Sequence, residues 1–222
     1  MSFIYKMDIF RNCNKLFIDF DGVIVDSNNF KELAIKKSII QLMGNNQVSI
    51  KAIEYFNINA GISRKYKLSQ FFKAKDVSEI MKLYALECKD FLLKAKPNNF
   101  LKEFLNSIEE KHNKIKIYIL SGGEKEEIEF FLKKNNLIGF FKDIFGSNKN
   151  KIEHLRNNHV SKNDIFIGDS QSDLKASLES GIKFILFEEY KSLKSYPSKE
   201  LIKNNVFLET KNFESLIKYI SQ

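Results

Sequence analysis

Five short and nearly uninterrupted apolar runs constrain this chain more than any other feature. They fall at residues 16–20, 115–121, 143–145, 164–168 and 182–187, with KIYILS and DIFIGDS the clearest. A strand that is apolar without alternation is one covered on both faces. Helical stretches lie between the runs, at about 98–112, 124–135, 150–157 and 172–180, and the tail from about residue 199 carries another helix or two. Strands alternating with helices predict an α/β protein, a parallel sheet with crossover helices on both faces.

The interval between the first run and Pro97 breaks the alternation. Residues 28–95 show helical periodicity and no strand. Phe30, Leu33, Ala34, Ile40 and Met43 share one face of a first helix, which Gly44 is placed to end. Ser49 is a candidate cap for a second helix using Ile50, Ile53 and Phe56, and Ser63 for a third presenting Phe71 and Phe72. A fourth uses Val77, Ile80, Met81, Tyr84, Cys88, Phe91 and Leu92. Such faces must be buried against one another or against the sheet domain. The expected division is a core of residues 1–27 and 96–222 with a small all-helical module, 28–95, inserted after the first strand, and hinges at 26–28 and 94–97.

Composition removes several function classes. Hydrophobic residues at 43% and charged residues at 29% exclude a disordered or collagenous chain. No apolar stretch approaches the ~20 residues needed to span a bilayer, and the opening residues show no leader pattern. Cys13 and Cys88 stand far apart in no metal-binding spacing, as in a reduced, cytoplasmic protein. The 36 basic against 28 acidic residues give +8, but the basic residues are scattered beside acids, in no block of five. A solvated surface accounts for them better than a nucleic-acid footprint. No membrane or nucleic-acid partner is expected. Nothing in the sequence chooses between monomer and homodimer.

In a parallel α/β sheet, chemistry gathers where strands end at their carboxyl edge. The first run ends FIDFDGVIVDS, with Asp19 and Asp21 two residues apart. The second ends in Ser121, Gly122 and Gly123, the third is followed by Lys149 and Lys151, and the fourth ends IGDSQSD with Asp169 and Asp173. Each alone has a bland explanation: a solvated turn for the paired acids, a helix cap for GDS. Acid, hydroxyl, amine and acid at four successive strand ends suit phosphoryl transfer through a carboxylate. Asp19 is placed to attack phosphorus, and Asp21 to serve as general acid and then base. Ser121, the Gly122 N–H and a lysine are placed to hold the phosphoryl oxygens. Asp19, the main-chain carbonyl of Asp21, and Asp169 offer hard oxygen ligands suited to Mg²⁺, with Asp173 a ligand through water or a support for Asp169. Lys151 is preferred to Lys149 because Ile152 and Leu155 then face the core.

These motifs resemble those of the haloacid dehalogenase superfamily of aspartate-nucleophile phosphatases and phosphotransferases. DFDGVIVDS resembles its first motif, Ser121 its second, Lys151 with IEHL its third and GDSQSD its fourth. The resemblance spans nearly the whole chain and implies a Rossmann-like core, a mobile cap and Mg²⁺. A helical cap between the first two motifs is similar to the phosphoglycolate-phosphatase-like and β-phosphoglucomutase-like subgroup. There, GISRKYKLSQFF resembles a cap segment lying over the active site. Asp21 stands where true dehalogenases lack the acid/base aspartate, which argues against carbon–halogen cleavage. Arg64, the cap's one arginine, is a candidate to bind substrate or to join cap and core. His112, His154 and His159 have no partner spacing and are expected at the surface. The expected activity is Mg²⁺-dependent hydrolysis of a phosphomonoester of a small metabolite, a sugar phosphate or a phosphoglycolate-like acid. A phosphomutase and a non-catalytic phosphometabolite-binding protein are the alternatives.

Overall fold

The computed structural model describes residues 8–59 and 62–220. The first seven residues, part of the stretch expected to carry no leader, and Gly61, which opens the GISRKYKL segment, lie outside them. Among the described residues the sheet has six strands. They are β1 (Lys15–Ile18), β2 (Lys116–Leu120), β3 (Asp143–Phe145), β4 (Ile165–Gly168), β5 (Lys183–Phe187) and β6 (Leu208–Thr210). Their order is β3-β2-β1-β4-β5-β6, and every neighbouring pair is parallel.

Side chains alternate across the sheet although almost all are apolar. Leu16, Ile18, Ile117, Ile119, Ile165 and Ile167 enter one core, whereas Phe17, Tyr118, Leu120, Phe166 and Phe184 enter the other. The first core is completed by α5 (Leu101–Lys111), α6 (Lys125–Lys134) and α10 (Phe213–Ile217). The second is completed by α7 (Lys151–Asn157), α8 (Gln171–Ser180) and α9 (Lys199–Asn205). Two covered faces account for strands that read as continuous apolar runs. The expected α/β, Rossmann-like architecture is therefore present. The tail adds β6, which the sequence did not reveal: three residues carry no usable period, and Leu208 pairs with Ile185 at the sheet edge.

Between β1 and β2 lie α1 (Asn28–Met43), α2 (Gln47–Ile58), α3 (Arg64–Ser69) and α4 (Ala74–Lys94). They share a third apolar cluster, built on Ile35, Ile39, Phe56, Leu68, Ile80 and Tyr84. The buried face of α1 is Ala34, Ile35, Ser38 and Ile39, while Leu33 is 66% exposed, so the expected phase was displaced by one residue. Asn46, not Ser49, caps α2: its side chain accepts the Ser49 N–H at 3.0 Å, and Ser49 itself is buried. Phe71 and Phe72 follow α3 rather than lying on it. At the return to the sheet domain, Asn98 donates to the carbonyls of Ile24 at 2.7 Å and Val23 at 3.0 Å. That pins the second junction beside the chain leaving β1.

Candidate active site

Because β1 lies between β2 and β4, the chain leaves it with crossovers on opposite sides, and a crevice opens at the carboxyl edge. Asp19 is the first residue past β1 and still keeps the ladder, its N–H donating to Ile167 O at 2.9 Å. Its buried carboxylate uses one oxygen, Oδ1, to accept from Phe20 N at 2.8 Å and to meet Lys151 Nζ at 3.0 Å. The chain then turns sharply at Gly22, whose φ of 77° disfavours other residues. A Cβ at Gly22 would also run into the Asp169 carboxylate and the Asn28 amide.

β4 ends at Gly168, where a Cβ would sit 2.6 Å from Cβ of Asp173. This close approach lets Asp169 and α8 start together. Ser170 and Asp173 form a capping box at the start of α8. Asp173 Oδ2 accepts from Ser170 Oγ at 2.6 Å, and its Oδ1 meets Lys151 Nζ at 2.5 Å. A second capping box, Asn150 with Glu153, starts α7 and turns Lys151 inward at the first helical position. Lys149 is exposed and Lys151 buried, so only Lys151 stands among the carboxylates.

Asp19, Asp21, Arg64, Gly122, Lys151 and Asp169 line one cavity of about 110 Å³. Ser121 and Asp173 are buried and are not among its lining residues. Ser121 is buried, and its hydroxyl accepts the Gly123 N–H at 3.0 Å. Asp173 has both oxygens engaged by Lys151 and Ser170.

The buried acids crowd one another electrostatically. Asp19, Asp169 and Asp173 present oxygens all within 4.8 Å of one another, and all three residues are buried. Burial pushes the Asp19 carboxyl well above the usual range; Lys151 opposes this, and Asp173 and Asp169 add to it. Burial, then Asp173, raises Asp169 to about 8. One lysine cannot neutralise three carboxylates, and their hard oxygens suit a divalent ion such as Mg²⁺. Asp21 differs. Desolvation alone would raise it, but Lys31, paired with Oδ2, and the Ser27 hydroxyl, 2.6 Å from Oδ1, hold it below the usual range.

Arg64 bridges the helical insert to the sheet domain. Its Nη1 and Nη2 donate to Glu127 Oε1 and Oε2 on α6 at 3.1 and 3.0 Å. The guanidinium carbon also lies 4.9 Å from the Tyr84 ring centroid.

Several site residues escaped the sequence reading. Asn28 donates to Asp169 Oδ2 at 2.7 Å and to Tyr190 O at 2.8 Å. Ser192 and Ser195 also line the cavity, giving the stretch after β5 a place in the site. Ser27 closes the first motif, and Asn28 and Lys31 lie in the helical turn that follows it. Lys67 lies in the GISRKYKLSQFF segment expected over the active site, though nothing distinguished it there from its neighbours, and Glu127 carried no signal. The expectation of surface histidines fails for His154, which is buried against Phe145, with rings 5.1 Å apart, and has Nε2 3.0 Å from Gly146 O. His112 is half-buried beside Asp8, with Nε2 3.2 Å from its carboxylate. Only His159 is exposed.

Residues 16–187 match the family model of haloacid dehalogenase-like hydrolases. The chain belongs to that family. No curated protein matches it in sequence. Among solved structures, a haloacid dehalogenase-like hydrolase from Streptococcus pneumoniae superimposes with a TM-score of 0.68 at 16% identity, covering 94% of this chain and 99% of that one. CbbY from Rhodobacter sphaeroides, solved with phosphate, gives 0.71 at 11% identity over 94% and 99%. A predicted phosphoglycolate phosphatase from Haemophilus somnus gives 0.69 at 12% identity over 94% and 98%. At such identities the likeness establishes the hydrolase fold alone. No helix among the described residues is long and apolar enough to cross a membrane.

Proposed function

We propose that this haloacid dehalogenase-like hydrolase is a Mg²⁺-dependent phosphatase acting on a small phosphomonoester through an aspartyl phosphate on Asp19. The observation that carries it is the state of Asp19. One oxygen is held by Phe20 N–H and Lys151, and the other, Oδ2, makes no hydrogen bond among the described residues and is left for phosphorus.

The steps follow from the side chains. Asp19 Oδ2 attacks phosphorus as the ester P–O bond breaks, and Asp21 delivers a proton to the departing oxygen. Asp21 then takes a proton from water, whose oxygen attacks phosphorus and releases Asp19 with inorganic phosphate. General acid–base help of this kind is typically worth about 10²–10⁴-fold. Asp21 is held ionised by Lys31, so its acid role requires a proton gained with incoming phosphate. Lys151 and the Gly122 N–H hold phosphoryl oxygens, and Ser121 supports that loop from behind. Asp19, the Asp21 carbonyl and Asp169 are the ligands we assign to Mg²⁺, with Asp173 acting through water or by positioning Lys151. A bound Mg²⁺ offsets repulsion between the carboxylates and an anionic substrate.

We assign residues 28–95 as a cap that closes over the substrate, hinged at 26–28 and 94–97. The cavity between insert and sheet edge is small, about 110 Å³. That favours a small metabolite over a protein or nucleic acid.

The test is phosphate release from an aryl phosphate and a panel of sugar and carboxylic-acid phosphates, with Mg²⁺, with chelator and with Asp19→Asn. Release that needs the metal and vanishes in Asp19→Asn is expected. Release that survives Asp19→Asn overturns the nucleophile. Isomerisation of a sugar phosphate without net release replaces the hydrolase with a mutase.

A further inference from the structure

Among the described residues, one of the cations lining the cavity has no carboxylate of its own. Four cations line it: Lys31, Arg64, Lys67 and Lys151. Three are matched by carboxylates, Lys31 by Asp21, Arg64 by Glu127, and Lys151 by Asp19 and Asp173. Lys67 is the exception. It is only 5% exposed, and among the described residues its ammonium donates to a main-chain carbonyl, Phe56 O at 3.0 Å, and pairs with no carboxylate. The Phe56 ring, 3.6 Å from Nζ to the centroid, shields one side.

An ammonium withdrawn from water without a counter-charge is costly, and structures keep such groups paired or neutral. Burial, reinforced by Arg64 and Lys31 and opposed by Asp21, lowers the Lys67 pKa to about 7. A purely structural lysine has no reason to stand here, since an apolar side chain would serve the α3 interface without the penalty. The missing partner must come from what enters the cavity. Lys67 lies on the insert wall with Phe56, Ile62 and Tyr84, whereas Asp19, Lys151 and Asp169 form the sheet-edge wall. A phosphoryl group at Asp19 therefore directs its leaving alcohol towards Lys67.

We propose that Lys67 is a specificity-determining residue that binds a second anionic group on the leaving alcohol, so that the substrate is a phosphomonoester carrying a carboxylate or a second phosphate. This rests on the phosphatase reading of the same site and narrows its substrate class. Neutral leaving alcohols would leave the ammonium buried and unpaired, and the site would discriminate against them.

The experiment measures two quantities for wild type, Lys67→Met and Lys67→Arg. The first is kcat/KM for 2-phosphoglycolate, glucose 1,6-bisphosphate, glucose 6-phosphate and p-nitrophenyl phosphate with Mg²⁺. The second is calorimetric affinity for the two dianionic-plus-anionic esters, which needs no turnover. In Lys67→Met the ratio of kcat/KM for the preferred anionic ester over p-nitrophenyl phosphate is expected to fall about 10- to 100-fold, chiefly through KM, the range of one charge-assisted hydrogen bond. Lys67→Arg is expected to restore part of it. The 2-phosphoglycolate and bisphosphate arms identify which anion is held. An equal fall for every ester, no change in the ratio, or wild-type preference for the neutral alcohols overturns the proposal. If no ester is hydrolysed, the phosphatase reading fails, and calorimetry still decides: undiminished affinity in Lys67→Met overturns the anion site independently. Thermal melting of each variant identifies a folding defect, and Lys67→Arg provides the independent comparison if Lys67→Met fails to fold.

Discussion

Arg64 and Glu127 lie 63 residues apart in sequence and meet in a two-pronged ion pair, both N–O distances close to 3 Å. Arg64 opens α3 of the insert and Glu127 belongs to α6 of the sheet domain, so the pair spans the crevice that must admit substrate. The arginine side chain is 5% exposed and the glutamate 17%. Removing one partner of such a pair leaves the other charge stranded, at a cost of roughly 3–5 kcal/mol when fully buried and less at the glutamate's exposure. Glu127→Ala is expected to destabilise the protein by about 2–3 kcal/mol in urea unfolding. A double-mutant cycle with Arg64→Ala is expected to show favourable coupling above about 1 kcal/mol. Additive losses would show that the bridge contributes nothing beyond its separate parts.

Gly22 supplies a second test, because two constraints coincide there. Its φ of 77° strains any other residue, and a Cβ would enter the space of the Asp169 carboxylate. Gly22→Ala is expected to lose about 1–3 kcal/mol of stability and most of the catalytic activity. Gly44, with a φ of 76° but nothing within 4 Å of a Cβ, provides the control: Gly44→Ala carries the backbone strain alone. Comparable activity losses in both would remove Asp169 displacement as the cause.

Lys151 stands between Asp19 and Asp173, and these two carboxylates raise its pKa against the lowering effect of burial. Lys151→Met leaves the carboxylates facing each other in a buried site. Loss of phosphate release by about 10²-fold or more is expected, together with half-saturation at lower Mg²⁺ concentration, because a cation that repels the metal is gone. Titration of activity against Mg²⁺ checks both. Lys149→Met, altering an exposed side chain outside the cavity, is expected to change neither.

The sheet and most of the acidic site were legible because their signals are local. β1, β2 and β4 are apolar runs whose last residues must emerge at one edge, so Asp19, Ser121 and Asp169 could be placed from chain order alone. Lys151 followed from the apolar phase of Ile152 and Leu155. What remained hidden depends on packing between distant segments. The Arg64–Glu127 bridge, the Asn28–Asp169 hydrogen bond and the approach of Ser192 and Ser195 arise when the insert and the loop after β5 meet the sheet edge. The buried face of α1 was misplaced because Leu33 and Ile40 extend its apolar arc beyond the part that is covered, so periodicity alone could not choose the phase. His154 was misjudged for a related reason: α7 packs its first turn inward, carrying a polar ring against Phe145.

Lys67 yields a pH prediction with a definite sign. Its pKa is lowered from 10.5 to about 7, first by burial and then by the charges of Arg64 and Lys31, with Asp21 opposing. Between pH 7 and 10.5 the unfolded chain therefore holds a proton at this position that the folded chain does not. Stability attributable to Lys67 rises with pH through that window, and the penalty is complete below pH 7. Replacing the ammonium with an apolar side chain removes the penalty. Lys67→Met is expected to be more stable than wild type by a few kcal/mol at pH 6, an order of magnitude set by about 1.4 kcal/mol for each pKa unit. The advantage should shrink steadily above pH 7 and be largely gone near pH 10. Urea unfolding of the two proteins at pH 6, 8 and 10 measures the difference directly, with other titrating groups cancelling between them. A constant difference across this range would show that the Lys67 ammonium stays charged in the folded protein, and a wild type more stable at pH 6 would show that Phe56 alone compensates its burial.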